Sequence, residues 1–383
     1  MDKFTLDDVC NSIVDGTHST VKDDPEGEYY LLSAKNVKNG QIVLNSNDRR
    51  ISKDTVQYLR KRSKTEVNDI ALTTVGSIGQ LALVKNTNYE FQRSVALLKA
   101  DRSIIYPEYL FYLLSTNKYQ SILENSCSGS VQKCLFLDDI RKITIEIPSV
   151  ETQNDVISTL MPIDDLIVTN QKINDYLAKY AKAIYKASIK TSFSPTKLSS
   201  ITLAITDGTH STIQDDPNGD YLLLSSKNIK DGLIQIKDDE RRINKEVFER
   251  LRSRTNLSKG DILLTSVGTI GECALVSEAN NFEFQRSVAI IRPNPECISP
   301  EYLYTALVCN QELLINAAHG AVQQCLFLRD INDLEVPLST KISDNTTMLL
   351  KSIYRNIDHN NQINLNLIKV RDTILNDIFM RYS

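Results

Sequence analysis

Apolar and polar positions fall into two textures that follow one another twice along the chain. Up to about Pro148, short β-rich runs sit between turn signals. Examples are Tyr29-Tyr30-Leu31-Leu32, Gln41-Ile42-Val43-Leu44 after Asn39-Gly40, and Ile70-Ala71-Leu72-Thr73-Thr74-Val75 before Gly76. Helical stretches interrupt them, such as Pro107-Glu108-Tyr109-Leu110-Phe111-Tyr112-Leu113-Leu114, where Pro suits a helix start. The mixture predicts an α/β (α+β) domain. After Pro148 the pattern becomes helical. Leu166, Asn170, Ile173, Leu177, Tyr180 and Ile184 are spaced 4, 3, 4, 3, 4, which is an a/d heptad seam. Pro162 is expected in the first turn of this helix, with Asp164 and Asp165 near its positive end.

The chain is written twice. Asp15-Gly16-Thr17-His18-Ser19-Thr20 recurs 192 residues later as Asp207-Gly208-Thr209-His210-Ser211-Thr212. The same offset maps Leu32-Ser33-Ala34-Lys35-Asn36 onto Leu224-Ser225-Ser226-Lys227-Asn228, and Arg49-Arg50-Ile51 onto Arg241-Arg242-Ile243. Phe91-Gln92-Arg93-Ser94 meets Phe284-Gln285-Arg286-Ser287, and Cys134-Leu135-Phe136-Leu137 meets Cys325-Leu326-Phe327-Leu328. Copies of this length are domains, not turns of a short-period solenoid. A second seam runs through Asn356, Asn360, Ile363, Leu367, Val370 and Ile374, so Asn170 and Asn360 are equivalent. The expected order is a domain over 1–150, a helix over 151–191, a domain over 192–339 and a helix over 340–383. Two matched seams favour pairing of the helices as an antiparallel coiled coil over each helix packing only on its own domain. A seam over about 163–188 spans roughly 36–39 Å, near the roughly 34–36 Å of one turn of B-DNA.

Composition narrows the class. The 383 residues are 41% hydrophobic and 24% charged, with only 13 Gly and 10 Pro, which excludes collagen-like and low-complexity chains. No apolar run reaches the roughly 20 residues of a membrane span. The start, Met1 to Asp8, lacks the basic and apolar regions of a signal peptide, so the cytoplasm is expected. Net charge is −4, which excludes a uniformly basic nucleic-acid coat but not local basic clusters. Seven Cys with no C-x-x-C pair support neither a disulfide framework nor a zinc site; they are expected to be reduced, mostly small core residues. No metal ligand set and no catalytic residues are expected.

The doubled order of variable α/β domain and long helix resembles the specificity subunit of type I restriction-modification systems. Asp15-Gly16-Thr17-His18, the following Leu32-Ser33-Ala34-Lys35-Asn36, Gly260-Asp261-Ile262-Leu263-Leu264-Thr265 and the later Gly-x-x-Gly resemble one class of target-recognition domain in that family. Pro148-Ser149-Val150-Glu151-Thr152-Gln153 resembles the Pro-x-x-Glu-x-Gln entry to its first spacer helix. The second copy departs from it, reading Pro337-Leu338-Ser339-Thr340-Lys341-Ile342. The resemblance implies a non-catalytic subunit that binds double-stranded DNA, each domain reading one half of a bipartite site. It implies helices that set the spacing and dock two methyltransferase subunits, with restriction/translocase subunits as further partners. S-adenosylmethionine, ATP and Mg would be used by those partners and not bound by this chain.

Candidate DNA contacts come from residue chemistry. Arg49, Arg50, Arg60 and Arg62 lie in a basic run over 49–64, and Arg241, Arg242, Arg250 and Arg252 in its counterpart over 241–256. Such density suits phosphate, although a solvated helix face reads the same way. Thr17, His18, Ser19 and Thr20, with Thr209, His210, Ser211 and Thr212, offer hydroxyl and imidazole groups after a Gly turn. Lys35-Asn36 and Lys227-Asn228, at strand ends, suit guanine or phosphate and adenine. Gln92-Arg93 and Gln285-Arg286 are best suited to bidentate base readout, unless each Arg serves a carboxylate within the fold. Gln132 and Lys133 align with Gln323 and Gln324, so differences there would make the half-sites unequal. A stand-alone DNA-binding regulator with two similar half-site readers is the alternative. A hydrolase using His18 with Asp15 lacks any supporting motif.

Overall fold

The computed structural model describes residues 2–45, 47–128, 133–237, 239–320 and 324–381. Contacts divide the chain into two compact units: Met1–Ile167 with Leu365–Ser383, and Val168–Asn364.

In the first unit the order of an antiparallel four-stranded sheet is Cys10–Asp15, Val95–Ala100, Ile70–Thr73, Leu81–Leu83. Ile70 to Thr73 is buried at every position because both faces of this sheet are covered. Ile70 and Leu72 join Ile13, Ala96 and Leu98 against helix Pro107–Ser115, while Ala71 joins Ala82, Val95 and Leu97 against Leu32, Tyr89 and Phe91. Two cores on one sheet explain an apolar run without alternation. Each fully buried Leu or Ile stabilises by about 1.5–3 kcal/mol. A second sheet sets Tyr29–Leu32 antiparallel to Arg49–Ile51 and parallel to Tyr89–Phe91. Asn39 and Gly40, at φ 50° and 78°, make the left-handed turn of a hairpin between Val37–Lys38 and Gln41–Ile42. Asp2–Thr5 pairs with Thr144–Ile147.

Helix Val150–Thr191 starts well before Pro162, which lies inside it and not in its first turn. The stronger start signal is Ser149, whose Oγ accepts from the Thr152 amide at 3.3 Å. The buried Gln153 then ties the helix to the head: its Oε1 accepts from the Tyr106 amide at 2.9 Å, and its Nε2 donates to the carbonyls of Ile104 and Pro148. Within this unit, residues 150–167 bury Val156 and Leu160 in one core with Leu375 and Phe379 from residues 365–381. Asp164 accepts from Arg371 at 2.9 Å and from the Tyr112 hydroxyl at 2.7 Å.

The second unit repeats the plan. Its four-stranded sheet runs Thr202–Asp207, Val288–Pro293, Ile262–Thr265, Cys273–Leu275, and Tyr221–Leu224 lies between Arg242–Ile243 and Phe282–Phe284. Asp231 and Gly232, at φ 54° and 78°, repeat the hairpin turn. Phe193–Lys197 pairs with Glu335–Ser339. Helix Asp344–Arg381 begins four residues after the expected 340, where Ser343 Oγ accepts from the Thr346 amide at 3.1 Å.

The helices do pack antiparallel, along a line that keeps Asn170 and Asn360 of the expected seam but not all of its apolar positions. In the second unit Asn170 donates to Asn364 at 2.8 Å, Asn360 donates to Asn174 at 2.8 Å and Asn174 donates to Asn361 at 2.9 Å. Leu166, Ile173, Tyr180 and Val370 are exposed. Ile167, Ala181 and Tyr185 are buried instead, one position further on. Leu177, Ile184, Asn360, Ile363, Leu367 and Ile374 are half-buried. The seam therefore matches paired Asn side chains, a small Ala and an anchored Tyr, whose hydroxyl bonds the Pro337 carbonyl at 2.5 Å. Apolar spacing alone places Leu166, Ile173 and Tyr180 one residue away from the positions that are covered. Asn170→Leu deletes a bond inside this seam and is expected to lower stability by about 1 kcal/mol or more. Replacing Asn170 and Asn364 together recovers it, because both polar groups leave at once. Thermal melting of the single and double variants checks this.

All seven Cys are free, but only Cys10 and Cys273 are buried; Cys297 is exposed and the other four are half-buried, so most are not core residues. Among the described residues no helix is long and apolar enough to cross a membrane, and no three His, Cys, Asp or Glu side chains are placed to hold a metal ion.

Candidate nucleic-acid interface

In the first unit, the chain leaves strand Cys10–Asp15 through Gly16. A Cβ there would lie 2.2 Å from the Phe91 carbonyl oxygen and 2.5 Å from that of Gln92, so only glycine lets the backbone approach. The approach is used at once. The Thr17 amide donates to the Phe91 carbonyl at 2.8 Å, and the Arg93 amide donates to the Thr17 carbonyl at 3.0 Å. The Ala34 amide donates to Ser94 Oγ at 3.1 Å. The Thr74 amide donates to the Ser94 carbonyl, and the Leu135 amide to the Thr74 carbonyl, each at 3.0 Å. Ser128 and Cys134 exchange backbone bonds. Five sequence-distant loops are thus stitched into one rim.

The second unit builds the same rim. Thr209 donates to Phe284 at 2.8 Å, Arg286 to Thr209 at 3.0 Å, Ser266 to Ser287 at 2.9 Å and Leu326 to Ser266 at 2.9 Å, all through the backbone. Ser226 donates to Ser287 Oγ at 3.0 Å, and His319 and Cys325 exchange backbone bonds.

Several expected residues stand on these rims with free faces. His18, Ser19, Thr20, Arg93 and Lys133 are exposed, as are His210, Ser211, Thr212, Arg286 and Gln324. Gln92 and Gln285 are half-buried. Among the described residues Arg93 and Arg286 have no carboxylate partner, so neither serves the fold as an internal ion pair. His18 Nε2 contacts Asp15, whose other oxygen holds Arg62 at 2.9 Å. His210 pairs with Asp207 at 2.6 Å. Lys35 and Lys227 are mostly exposed but each reaches a buried carboxylate, Asp48 or Glu240, at 2.9 Å. Gln132 and Gln323 lie outside the described residues.

Other expected contacts belong to the fold. Thr17 and Thr209 are buried, and their Oγ1 atoms accept from the Ser19 and Ser211 amides at 3.1 Å, which shapes the turn. Asn36 and Asn228 are buried and satisfied. Each accepts from the Ser33 or Ser225 amide and donates both to a loop carbonyl and to Asp48 or Glu240. Their side-chain bonds are all made within the fold.

Two of the four candidate arginines in each basic run are also tied into the fold. Arg49 pairs with Asp23 at 2.6 Å and donates to the Val21 carbonyl, and Arg241 does the same with Asp215 and Ile213. Arg60 grips the buried Glu90 at 2.6 Å, and Arg252 grips the buried Glu283. Burial pushes the Glu90 and Glu283 carboxyls up, against the pull of Arg60 with Thr65 and of Arg252 with Thr255. Arg50 lies over the Tyr30 ring, 5.5 Å from its centroid. Arg242 donates to the Gly219 carbonyl at 3.3 Å, and Arg250 is exposed. Local basic density overstated the free charge because its acidic partners are remote in sequence.

A family model for the type I restriction modification DNA specificity domain matches residues 1–179. The type I restriction enzyme EcoBI specificity subunit of Escherichia coli is 34% identical over 137 residues, 35% of this chain and 28% of that one. Over these residues the chain is similar to the type I restriction-modification specificity subunits. The HindI specificity subunit of Haemophilus influenzae is 31% identical over 103 residues, 26% of this chain and 22% of that one. These matches span about a quarter of the relatives' own length. A crystal structure of the type I system S subunit from M. genitalium is matched over 98% of this chain and 95% of its own, with TM-score 0.56 and 17% identity, so the chain shares its fold.

Residue chemistry missed two features of the chain. Gln153, the last residue of the Pro-x-x-Glu-x-Gln entry, is a buried strut between helix and head. Phe136 and Phe327 are exposed rings at equivalent rim positions. Gln153 was legible only as a letter of that motif, and the two Phe only as apolar letters beside a buried Leu.

Proposed function

We propose that each rim reads one half of a bipartite DNA site and that the chain itself performs no chemistry. The observation that carries this reading is the Gln-Arg pair, Gln92-Arg93 and Gln285-Arg286, a half-buried Gln beside an exposed Arg, held at the same place on both rims with each guanidinium free of a carboxylate partner among the described residues. Arg offers two donors to guanine O6 and N7, and Gln offers one donor and one acceptor to adenine. His18, Ser19, Thr20, Lys35, Arg62, Lys133 and their counterparts His210, Ser211, Thr212, Lys227 and Gln324 supply phosphate and base-edge contacts, and Arg50, Arg242 and Arg250 supply phosphate contacts. The two long helices, each common to both units, set the distance between half-sites and dock two methyltransferase subunits. Restriction/translocase subunits complete the complex. S-adenosylmethionine, ATP and Mg are used by those partners, and the complex works in the cytoplasm on double-stranded DNA.

Similar readers select similar sequences, so the target is an interrupted near-palindrome. Co-expression with the cognate methyltransferase, followed by base-resolution mapping of methylated adenines, tests this. The reading expects a two-part motif with related halves. Two unrelated halves contradict the near-palindrome, and no sequence preference contradicts the reading itself.

A further inference from the structure

We propose that Phe136 and Phe327 are base-contacting residues, each supplying its reader with an apolar contact to a thymine methyl group. The inference rests on the rims being DNA readers and names a contact the polar residues leave open.

Both rings are more than half exposed, at 54% and 56%, yet their backbones are pinned. Leu135 and Leu326 before them and Ile140 and Ile331 after them are almost fully buried. Each Phe is the N-cap residue of a short helix, Leu137–Lys142 or Leu328–Asp333, at φ −82° and −78°. An N-cap favours Ser, Thr, Asp or Asn, whose side chains bond the free amides of the first turn. Phenylalanine caps nothing and, standing in solvent, adds little to either core. Folding alone does not ask for it, and it occurs twice. The Leu on either side is also repeated, while residues around this segment have diverged: Ser128 against His319, Lys133 against Gln324, Asp138 against Arg329.

Position decides the occupant. The Leu135 amide bonds Thr74, which bonds Ser94, the residue after Arg93, so the ring stands on the same rim as the free guanidinium. Lys133 precedes it in the first copy. The major groove shows polar edges at every base pair and one apolar group, the thymine C5 methyl, which Phe is suited to touch. The copies differ in support. His319 stacks on Phe327 with centroids 6.1 Å apart and planes 26° from parallel, and its Nε2 is 3.4 Å from Asp330. Phe136 has Ser128 in that place. Phe327 is the more restrained ring.

The test uses the full chain assembled with its methyltransferase and a duplex carrying the mapped motif. Phe136→Ala is expected to weaken site binding about tenfold, with an unchanged melting temperature. The slope of log affinity against log salt stays the same, since no phosphate contact is lost. Uracil in place of one thymine of the affected half-site weakens the parent by a similar factor and leaves Phe136→Ala unaffected. Phe136→Leu, which keeps an apolar side chain, retains most of the affinity. Equal site binding by Phe136→Ala and the parent overturns the inference while leaving the rims as readers. So does loss of methyltransferase co-purification, which would mark a protein contact, or a mapped half-site without thymine. A parent complex with no preference for the motif over unrelated duplex instead defeats the underlying reading.

Discussion

Arg93→Ala in the assembled complex is expected to weaken binding to the target ten- to hundred-fold, about 1–3 kcal/mol, and to relax one half-site only. Two features set the size of this effect. The guanidinium is exposed and free of any carboxylate among the described residues, so its removal leaves no buried charge behind and the fold is untouched. Its backbone is locked, because the Arg93 amide bonds the Thr17 carbonyl and Gly16 permits that approach. A side chain on a fixed base loses little freedom when it docks, and such contacts discriminate strongly. Arg286→Ala mirrors the result in the other half. Titration of the complex against duplexes mutated in either half separates the two. A uniform loss across all sequences would show that Arg93 contacts phosphate and reads nothing.

Arg60→Ala is expected to act in the opposite way, through stability, at about 3–5 kcal/mol. Glu90 is almost fully buried between Arg60, at 2.6 Å, and the Thr65 hydroxyl, at 2.7 Å. Removing the guanidinium strands a carboxylate in the protein interior. A whole domain is stable by only about 5–15 kcal/mol, so this is a large share of it. The sign with pH follows from the direction of the shift. Burial raises the folded-state pKa of Glu90 above its unfolded value, even with Arg60 present. The folded state then holds the proton more tightly, so this group favours folding at low pH and loses that contribution as pH rises through the folded pKa. Without Arg60 the carboxyl moves further up. The gap in melting temperature between Arg60→Ala and the parent should be widest at pH well above the ordinary glutamate range and narrow as pH falls towards it. A gap constant with pH would show that Glu90 is not the stranded group. Arg252→Ala tests the same pair, with Glu283, in the second unit.

The contrast between Arg93 and Arg60 marks what the sequence could and could not tell. The repeat, the mixed domains and the long helices were readable because local period and duplication carry them. Gly16 and Gly208 were readable as turn residues. The division of the basic residues was not, since Arg60 finds Glu90 thirty positions on and Arg49 finds Asp23 in the loop before strand Tyr29–Leu32. Asn36 looked like a base reader because it ends a strand in polar company. Asp48 and the Val43 carbonyl, which turn it into a structural bracket, are fixed only by the folded hairpin. The helix seam slipped by one residue for a similar reason. Spacing weighs Leu166 and Ile173 above Asn174 and Ala181, but tertiary contacts reward paired amides and close approach.

The central claim is that sequence choice resides separately in each α/β head. Residues 2–147 can be replaced by residues 193–339, giving a chain with two copies of the second reader on the original helices. Mapping methylated adenines in cells that carry this chain and the cognate methyltransferase should return an interrupted palindrome built only from the second half-site. Retention of the parental motif would contradict the claim, because the first head would then have contributed nothing to what was read.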